Sequence, residues 1–371
     1  MKDFSDKLNI GIAGYSFGKK VHLEALKEST FLNPFCFYHP KKEKCQTIEQ
    51  ETNLKCYSQW DELINNKKID GLIIATPPEF RYELAKKALF NHKNILLEKP
   101  VALQSKEIED LQILSLKNNL SVCVDFEYRG VPLFLQTKKI LREYQLGEIF
   151  LVKLDWLMQS RLDPNRKWDW YSQEDKGGGV IGALGTHAFD ILHWFFGETT
   201  KVNGKITTSI KERPTNKSGE KYKVTSEDTC LANLEINNFG NGLIPCQVSL
   251  SSVAKRGRGF SLEVYGSKGS LFLNSQNQDD YIHGFQLKLV DISNKIKEII
   301  ADDTFQFNKE WSDGRIAPVK YIHNLWQESI KSKTPVIPGL HEGHQSQKVC
   351  EAIKLSSESG MTIEIQAIKS L

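Results

Sequence analysis

The residues with the clearest capacity for chemistry stand in Ile95-Leu96-Leu97-Glu98-Lys99-Pro100-Val101. The apolar run reads as a buried strand, and a Glu-Lys pair closes it just before proline. Strand interiors avoid charge, so Lys99 is expected at the carboxyl end of the strand, the edge where open α/β sheets bind ligands. A lysine partly desolvated there, with Glu98 beside it, can have its pKa brought down toward the range useful for proton transfer. A surface ion pair capping a strand would use the same three residues. A second group is His187 with Asp190, three residues apart and so on one helix face. Gly177-Gly178-Gly179 precedes them, and such a run would let a cofactor or substrate come close to the backbone. An imidazole there suits proton handling near neutrality, although a lone helical histidine is more often structural.

The elements that must position these groups are legible in order. Leu8 to Gly14 reads as a short strand, and from about Lys19 the pattern turns helical. Gly14, Tyr15, Ser16, Phe17 and Gly18 between them form the turn that a dinucleotide fingerprint requires, although Ser16 and Lys19 stand where Gly-x-Gly-x-x-Gly has glycine. A second strand, Phe35 to Tyr38, ends in His39-Pro40-Lys41-Lys42. An acidic residue at this point would bind the ribose diol of NAD; His39, Lys41 and Lys42 offer positive charge instead, so NADP is expected, with NAD as the alternative. A third strand, from Ile69, runs into Ala75-Thr76-Pro77-Pro78, a rigid turn suited to the floor of a ribose site. Repeated strand-helix units to residue 126 describe a doubly wound parallel sheet of the Rossmann type.

Beyond it, Glu148 to Trp156 alternates as a strand and leads into a loop bearing Arg161, Arg166, Trp168, Trp170 and Tyr171. Aromatic planes beside charged donors suit a polyhydroxylated ring, though each tryptophan taken singly is as well explained by packing. From Lys201 to Val290 short strands are separated by Gly, Asn and Asp turns, which implies a large and mostly antiparallel sheet. The polar Lys211 to Lys223 segment reads as a mobile loop, and Ala317 to Lys331 and Gln345 to Ser359 as amphipathic helices. The expected organisation is a dinucleotide-binding domain over 1–126 and an α+β substrate and oligomerisation domain over 127–371.

The bulk properties agree with this class. The chain has 371 residues, a formal charge of +3 and seven cysteines. The odd cysteine count without a Cys-x-x-Cys pair fits buried reduced thiols and gives no reason to expect a metal. Basic residues are not massed in a block, so no nucleic-acid partner is expected, and no run reaches membrane-spanning length. A cytoplasmic location is the expectation.

Taken together, Gly11 to Gly18, Ala75 to Pro78, Glu98-Lys99-Pro100, Asp125 to Arg129, Gly177 to Asp190 and Leu262 to Leu271 stand in one order that resembles the Gfo/Idh/MocA oxidoreductases. The resemblance implies a nicotinamide cofactor held by the first domain. It also implies that Lys99 and His187 reach the carbinol carbon of the substrate, with Glu127, Arg129, Arg161, Trp168, Trp170 and Asp190 lining its pocket. Relatives often carry an aspartate four residues before this histidine; Ala183 stands there and cannot relay a proton. The implied activity is hydride transfer to or from a sugar, polyol or related hydroxy or keto compound. A cofactor-retaining glycosidase and a catalytically silent sugar or dinucleotide sensor are the alternatives. Relatives pair subunits through the open face of the second sheet, so a homodimer or homotetramer is expected.

Overall fold

The apolar runs of the first third of the chain become six parallel strands: β1 (Leu8–Ala13), β2 (Leu32–Tyr38), β3 (Lys55–Tyr57), β4 (Gly71–Ile74), β5 (Asn94–Leu97) and β6 (Val122–Val124). This computed structural model describes residues 7–217, 219–275, 277 and 284–368. The strands lie in the order β3-β2-β1-β4-β5-β6, so the winding direction reverses between β1 and β4. A reversal of this kind opens a crevice at the carboxyl ends of the strands. Gly14, Thr76 and Lys99 follow β1, β4 and β5 at that edge.

Helices α1 (Glu24–Lys27), α2 (Lys42–Thr52), α3 (Trp60–Ile64), α4 (Pro78–Phe90) and α5 (Ser105–Asn118) connect these strands. On one face, Ala85, Ala88 and Leu89 of α4 and Ile108 and Leu111 of α5 pack on Ile74, Leu97 and Val124. On the other, Ile10, Ile12, Ile73 and Leu96 meet Ile322 and Trp326. Both faces are therefore covered, which is why these strands read as continuous apolar runs without alternation.

Trp326 comes from far along the chain. The chain divides into two compact units, one of residues 1–130 with 309–344 and one of 131–308 with 345–371. Where a single boundary after residue 126 was expected, the segment 309–344 returns to the nucleotide-binding unit. The reason is apolar area: the amphipathic helix Ile316–Ser332 supplies the layer that the sheet face over β1 and β4 lacks. A Cβ on Gly71 would lie 3.0 Å from the Trp326 ring, so the strand is kept bare of side chain where the indole sits. Emptying a site of this kind typically costs about 3–5 kcal/mol.

The second unit is built on nine strands in a separate sheet, with an independent hairpin. The strands are β7 (Ile149–Leu157), β8 (Thr199–Thr207), the hairpin pair β9 (Glu212–Pro214) and β10 (Lys221–Lys223), β11 (Thr229–Asn237), β12 (Leu243–Ser251), β13 (Gly259–Gly266), β14 (Gly269–Ser275), β15 (Phe285–Val290), β16 (Ile296–Ile299) and β17 (Ile363–Glu364). The sheet order is β16-β15-β14-β13-β7-β12-β11-β8-β17, and only the β7–β12 pair is parallel. The remaining helices of the chain are α6 (Pro132–Arg142), α7 (Thr186–Phe196), α8 (Ile316–Ser332) and α9 (Leu340–Ser359), and the boundary between the units falls within α9. Phe134 of α6 packs against Phe260 and Phe285 of the sheet, at ring distances of 5.3 and 4.9 Å. Residues of opposite parity, Leu231 of β11 and Leu243 of β12 among them, are exposed.

The segment Lys211 to Lys223 differs from its expectation as a mobile loop. Lys221 pairs with Pro214 and Lys223 with Glu212 in an antiparallel ladder. Arg213 ties this hairpin to the aromatic loop by donating to the carbonyls of Asp163 at 2.7 Å and Arg161 at 2.6 Å. Among the described residues, no helix is long and apolar enough to cross a membrane.

Candidate active site

Lys99 follows β5 at the carboxyl edge of the parallel sheet, as the position of charge after an apolar run predicts. Its surroundings are held by Arg81, a buried residue of α4. The Arg81 guanidinium donates to the main-chain carbonyls of Glu98 at 2.9 Å and Thr76 at 2.5 Å, and also to that of Pro100. One side chain thus fixes the ends of β4 and β5 together. These carbonyls take hydrogen bonds from both terminal nitrogens, which offsets the cost of burying the guanidinium, while its Nε has no partner among the described residues.

The lysine stands among carboxyls. Burial lowers the pKa of Lys99, and the Glu127 and Glu98 carboxylates offset part of that fall. Glu127, in the single turn of helix Glu127–Gly130, has its own carboxyl raised to about 7, by burial first, with Lys99 pulling the other way. Burial would also raise Glu98, but the hydrogen bond from His22, with the Arg81 and Lys99 charges, outweighs it and brings the group down to about 2. Asp125 is pushed well above the usual carboxylate range by burial and by the neighbouring Glu98 and Glu127. The same edge therefore combines an amine biased toward its neutral form with carboxyls of opposite tendency, the pattern by which sites separate acid from base.

His22 was not singled out from the sequence, yet it is part of this group. Its Nε2 lies 3.1 Å from Glu98 Oε1 and 3.6 Å from Asp125 Oδ2, and its Nδ1 lies 3.0 Å from Nε2 of His323 on α8. All four side chains are buried. The available signal was a histidine set between the apolar Val21 and Leu23 just after the glycines.

The glycine turn has the form a pyrophosphate needs. Gly14 has φ +107°, and a Cβ there would stand 2.4 Å from the carbonyl oxygen of Ala75, so only glycine lets β1 and β4 end side by side. Gly18 opens the helical turn Gly18–Leu23, where a Cβ would stand 2.8 Å from Ile12. Between them, the Tyr15 hydroxyl donates to Glu51 of α2, which Lys19 also engages. The Phe17 ring meets His22 edge-on at 5.3 Å and the Arg315 guanidinium at 5.2 Å. Ser16 sits in the same turn, and Ala75, Thr76, Pro77 and Pro78 form the opposite wall at the start of α4. A bare glycine turn leading into a helix, facing a rigid proline turn across a strand reversal, fits a dinucleotide.

The residues read as a 2′-phosphate site do not behave as one. His39 is half-buried, and its Nδ1 accepts the main-chain N–H of Lys41 at 3.1 Å. Burial lowers its pKa, so it contributes no cation at neutrality. Lys41 and Lys42 are exposed at the start of α2.

In the second unit, His187 and Asp190 are buried on α7, and the His187 ring lies 6.3 Å from that of Trp156. The glycines before them have a packing reason. A Cβ on Gly178 would stand 2.2 Å from the carbonyl of Tyr171, and one on Gly179 would stand 2.3 Å from the Glu227 carboxylate. Close approach does occur at this run, but of the protein's own groups. Glu227 accepts the N–H of Ile181 at 2.8 Å on its side chain and that of Val180 at 3.0 Å on its carbonyl, anchoring the turn that leads into α7. Ala183 lies in that turn.

Of the other expected pocket residues, Glu127 and Arg129 belong to the first unit and are buried there. Arg161 stacks its guanidinium 4.0 Å from the Tyr171 ring centre. Trp168 donates its indole N–H to the Lys223 carbonyl at 3.0 Å and meets Tyr222 edge-on at 5.2 Å, whereas Trp170 stays partly exposed.

A Rossmann sheet with a glycine turn, followed by a large mixed sheet, defines a two-domain nicotinamide-dependent oxidoreductase. Residues 8–126 match the NAD-binding Rossmann fold of the Gfo/Idh/MocA oxidoreductase family, and residues 138–365 match that family's C-terminal alpha/beta domain; the chain belongs to this family. It is accordingly an enzyme, a dehydrogenase or reductase of CH–OH groups. An uncharacterised oxidoreductase of Synechocystis sp. is 38% identical over 94% of each chain. The levoglucosan dehydrogenase of Pseudarthrobacter phenanthrenivorans is 26% identical over 74% of this chain and 75% of its own. A solved levoglucosan dehydrogenase in complex with NADH and levoglucosan superposes with a TM-score of 0.85 at 21% identity, covering 97% of this chain and 100% of that one. The levoglucosan dehydrogenase complexes hold NADH, which overturns the expectation of NADP drawn from His39, Lys41 and Lys42. The error lay in counting residue types as charge: one of the three is neutral and locally bonded, and the other two face solvent.

The glycine turn supplies a direct check. Gly14→Ala should weaken NADH binding by about tenfold or more, from strain of roughly 1–3 kcal/mol at a positive φ and the contact with Ala75. Fluorescence titration with NADH reads this; unchanged affinity would show that the turn does not hold the nucleotide.

Proposed function

We propose that the protein oxidises a secondary hydroxyl of a sugar or polyol with NAD, or runs the reverse reduction, with Lys99 as the proton-transferring group. What supports this reading is the place of Lys99 directly after β5, at the carboxyl edge of the parallel sheet beside the strand reversal, where burial lowers its pKa and the Glu127 and Glu98 charges offset part of the fall. Gly14 to Gly18 and Ala75 to Pro78 are the residues that would hold the cofactor. The nicotinamide, when bound, supplies the acceptor for a hydride. As the carbinol C–H bond gives up that hydride, the hydroxyl must lose a proton, and the neutral Lys99 amine takes it while the carbonyl forms. In reduction the ammonium returns the same proton. Glu98 and Glu127 balance the charge that appears on the nitrogen. Ala183 leaves no carboxylate four residues before His187, so we assign His187 an orienting role for substrate and Lys99 the main proton load. Arg161, Trp168 and Trp170 are assigned to the sugar's hydroxyls and ring faces. Relatives named for levoglucosan, D-xylose and glucose 6-phosphate set the first panel to assay.

Lys99→Met should lower turnover on a substrate from that panel on the order of a hundredfold to ten-thousandfold. NADH affinity should stay within about twofold, since the lysine's loss is a loss of proton transfer and not of nucleotide contacts. Wild-type oxidation should also rise with pH through the lowered lysine midpoint and level off above it, because the base acts when neutral. Full activity in Lys99→Met would remove the assignment.

We further propose that the open face of the large sheet pairs subunits. Leu231 and Leu243 are 55% and 58% exposed toward opposite ends of the β11–β12 pair, and Phe150 on β7 is 54% exposed, so apolar side chains are spread along this sheet in water. Light scattering should report an oligomer that Leu231→Lys with Leu243→Lys converts to monomer; a monomeric wild type would refute this.

A further inference from the structure

The structure assigns a second role to the buried imidazoles beside Lys99: we propose that His323 and His22 form a one-way hydrogen-bond chain ending on Glu98, which fixes that carboxylate as the counter-charge of Lys99. This rests on the proposed function of Lys99 and makes His22 and His323 positioning residues for its proton transfer.

The argument is one of protons and partners. His323 is fully enclosed on α8, and burial holds its pKa well below the ordinary range, so its ring carries one proton. Its Nδ1 has no hydrogen-bond partner among the described residues. A proton placed there would be a buried orphan donor, whereas a proton on Nε2 makes the 3.0 Å bond to His22 Nδ1. His22 Nδ1 is then an acceptor. Its own proton must lie on Nε2, pointing at Glu98 Oε1 at 3.1 Å and toward Asp125 Oδ2 at 3.6 Å. Each step follows from the one before, so the orientation of the His22 donor is set by His323, 301 positions away in sequence.

Arg81 approaches from α4, Lys99 and Glu98 follow β5, Asp125 and Glu127 follow β6, and Arg315 precedes α8. Burial pushes the Asp125 carboxyl up while Glu98 is brought down, so of the two Glu98 is the carboxylate biased toward the anion, and the His22 N–H points at it at 3.1 Å. The ligand atoms of His22, Glu98 and Asp125 all lie within 4.8 Å of one another, close enough to surround a cation. A cation would need the Nε2 lone pair, hence a proton on His22 Nδ1, and would force the His323 proton onto its unpartnered nitrogen. The hydrogen-bond chain leaves no such orphan donor.

The test uses the full-length protein. Nitrogen-15 histidine NMR of the wild type should show both His22 and His323 as Nε2–H tautomers. A proton on His22 Nδ1 would overturn the chain and leave the arrangement that a cation requires, with added zinc then shifting the same signals. Carbon-13 methylation of lysines, with Lys99 identified by its absence in Lys99→Arg, reads the second arm. In His22→Leu, Glu98 loses its donor and its charge, and the Lys99 midpoint should fall by about one pH unit. Turnover on the panel substrate should fall on the order of tenfold at constant KM. In His22→Gln, whose amide N–H can occupy the place of Nε2–H, both should return toward wild type. A Lys99 midpoint that ignores His22→Leu in a folded protein would refute the inference. If His22→Leu does not fold, the wild-type tautomers still decide it. Activity surviving Lys99→Met would instead strike the proposed function and leave the tautomer result standing.

Discussion

The burial of opposite charges at the end of β5 is the interaction on which the rest of the first unit depends. A lysine taken out of water is stable only if its surroundings compensate it, and unit charges about 4 Å apart interact by roughly 4 kcal/mol at the effective dielectric of a protein edge. Glu127 and Glu98 provide that compensation, and Arg81 holds the main chain on either side of Lys99. Removing one member would expose the others to an uncompensated desolvation cost. The parallel sheet, the helix α4 that carries Arg81 and the late helix α8 that carries His323 are thus joined at one small group of polar atoms.

The second unit solves a related problem with different means. The helix α7, which bears His187, begins in a turn whose first donors need acceptors, and Glu227 supplies two of them from its side chain and its carbonyl. Burial raises the Glu227 carboxyl, and Lys354 moderates that rise. Glycine is required at 179 because the Glu227 carboxylate comes so near, and at 178 because the Tyr171 carbonyl does. The aromatic loop is likewise secured, by Arg213 and by the Trp168 indole, so the residues expected to meet a sugar stand on a braced surface.

How much of this was legible in the sequence depended on whether a signal was local. Lys99 could be placed because charge directly after a buried strand has few other positions to take. The Rossmann half followed from apolar runs of strand length divided by glycine and proline. The group formed by Arg81, His22 and His323 was not legible, because each residue lies on a different helix and nothing nearby in sequence marks it. The return of residues 309–344 to the first unit escaped for the same reason: an amphipathic helix declares that it will be buried, but not against which sheet. The cofactor expectation failed differently. His39 was read as a cation from its type, while partial burial lowers its pKa and its Nδ1 accepts the Lys41 main-chain N–H.

The central claim is that the Lys99 amine carries the proton that accompanies hydride transfer. Chemical rescue tests it most directly: Lys99→Ala should be nearly inactive with NAD and the panel substrate, and small primary amines should restore turnover at rates that follow their basicity. A protein that binds NADH normally, yet shows no response to any amine, would contradict the account.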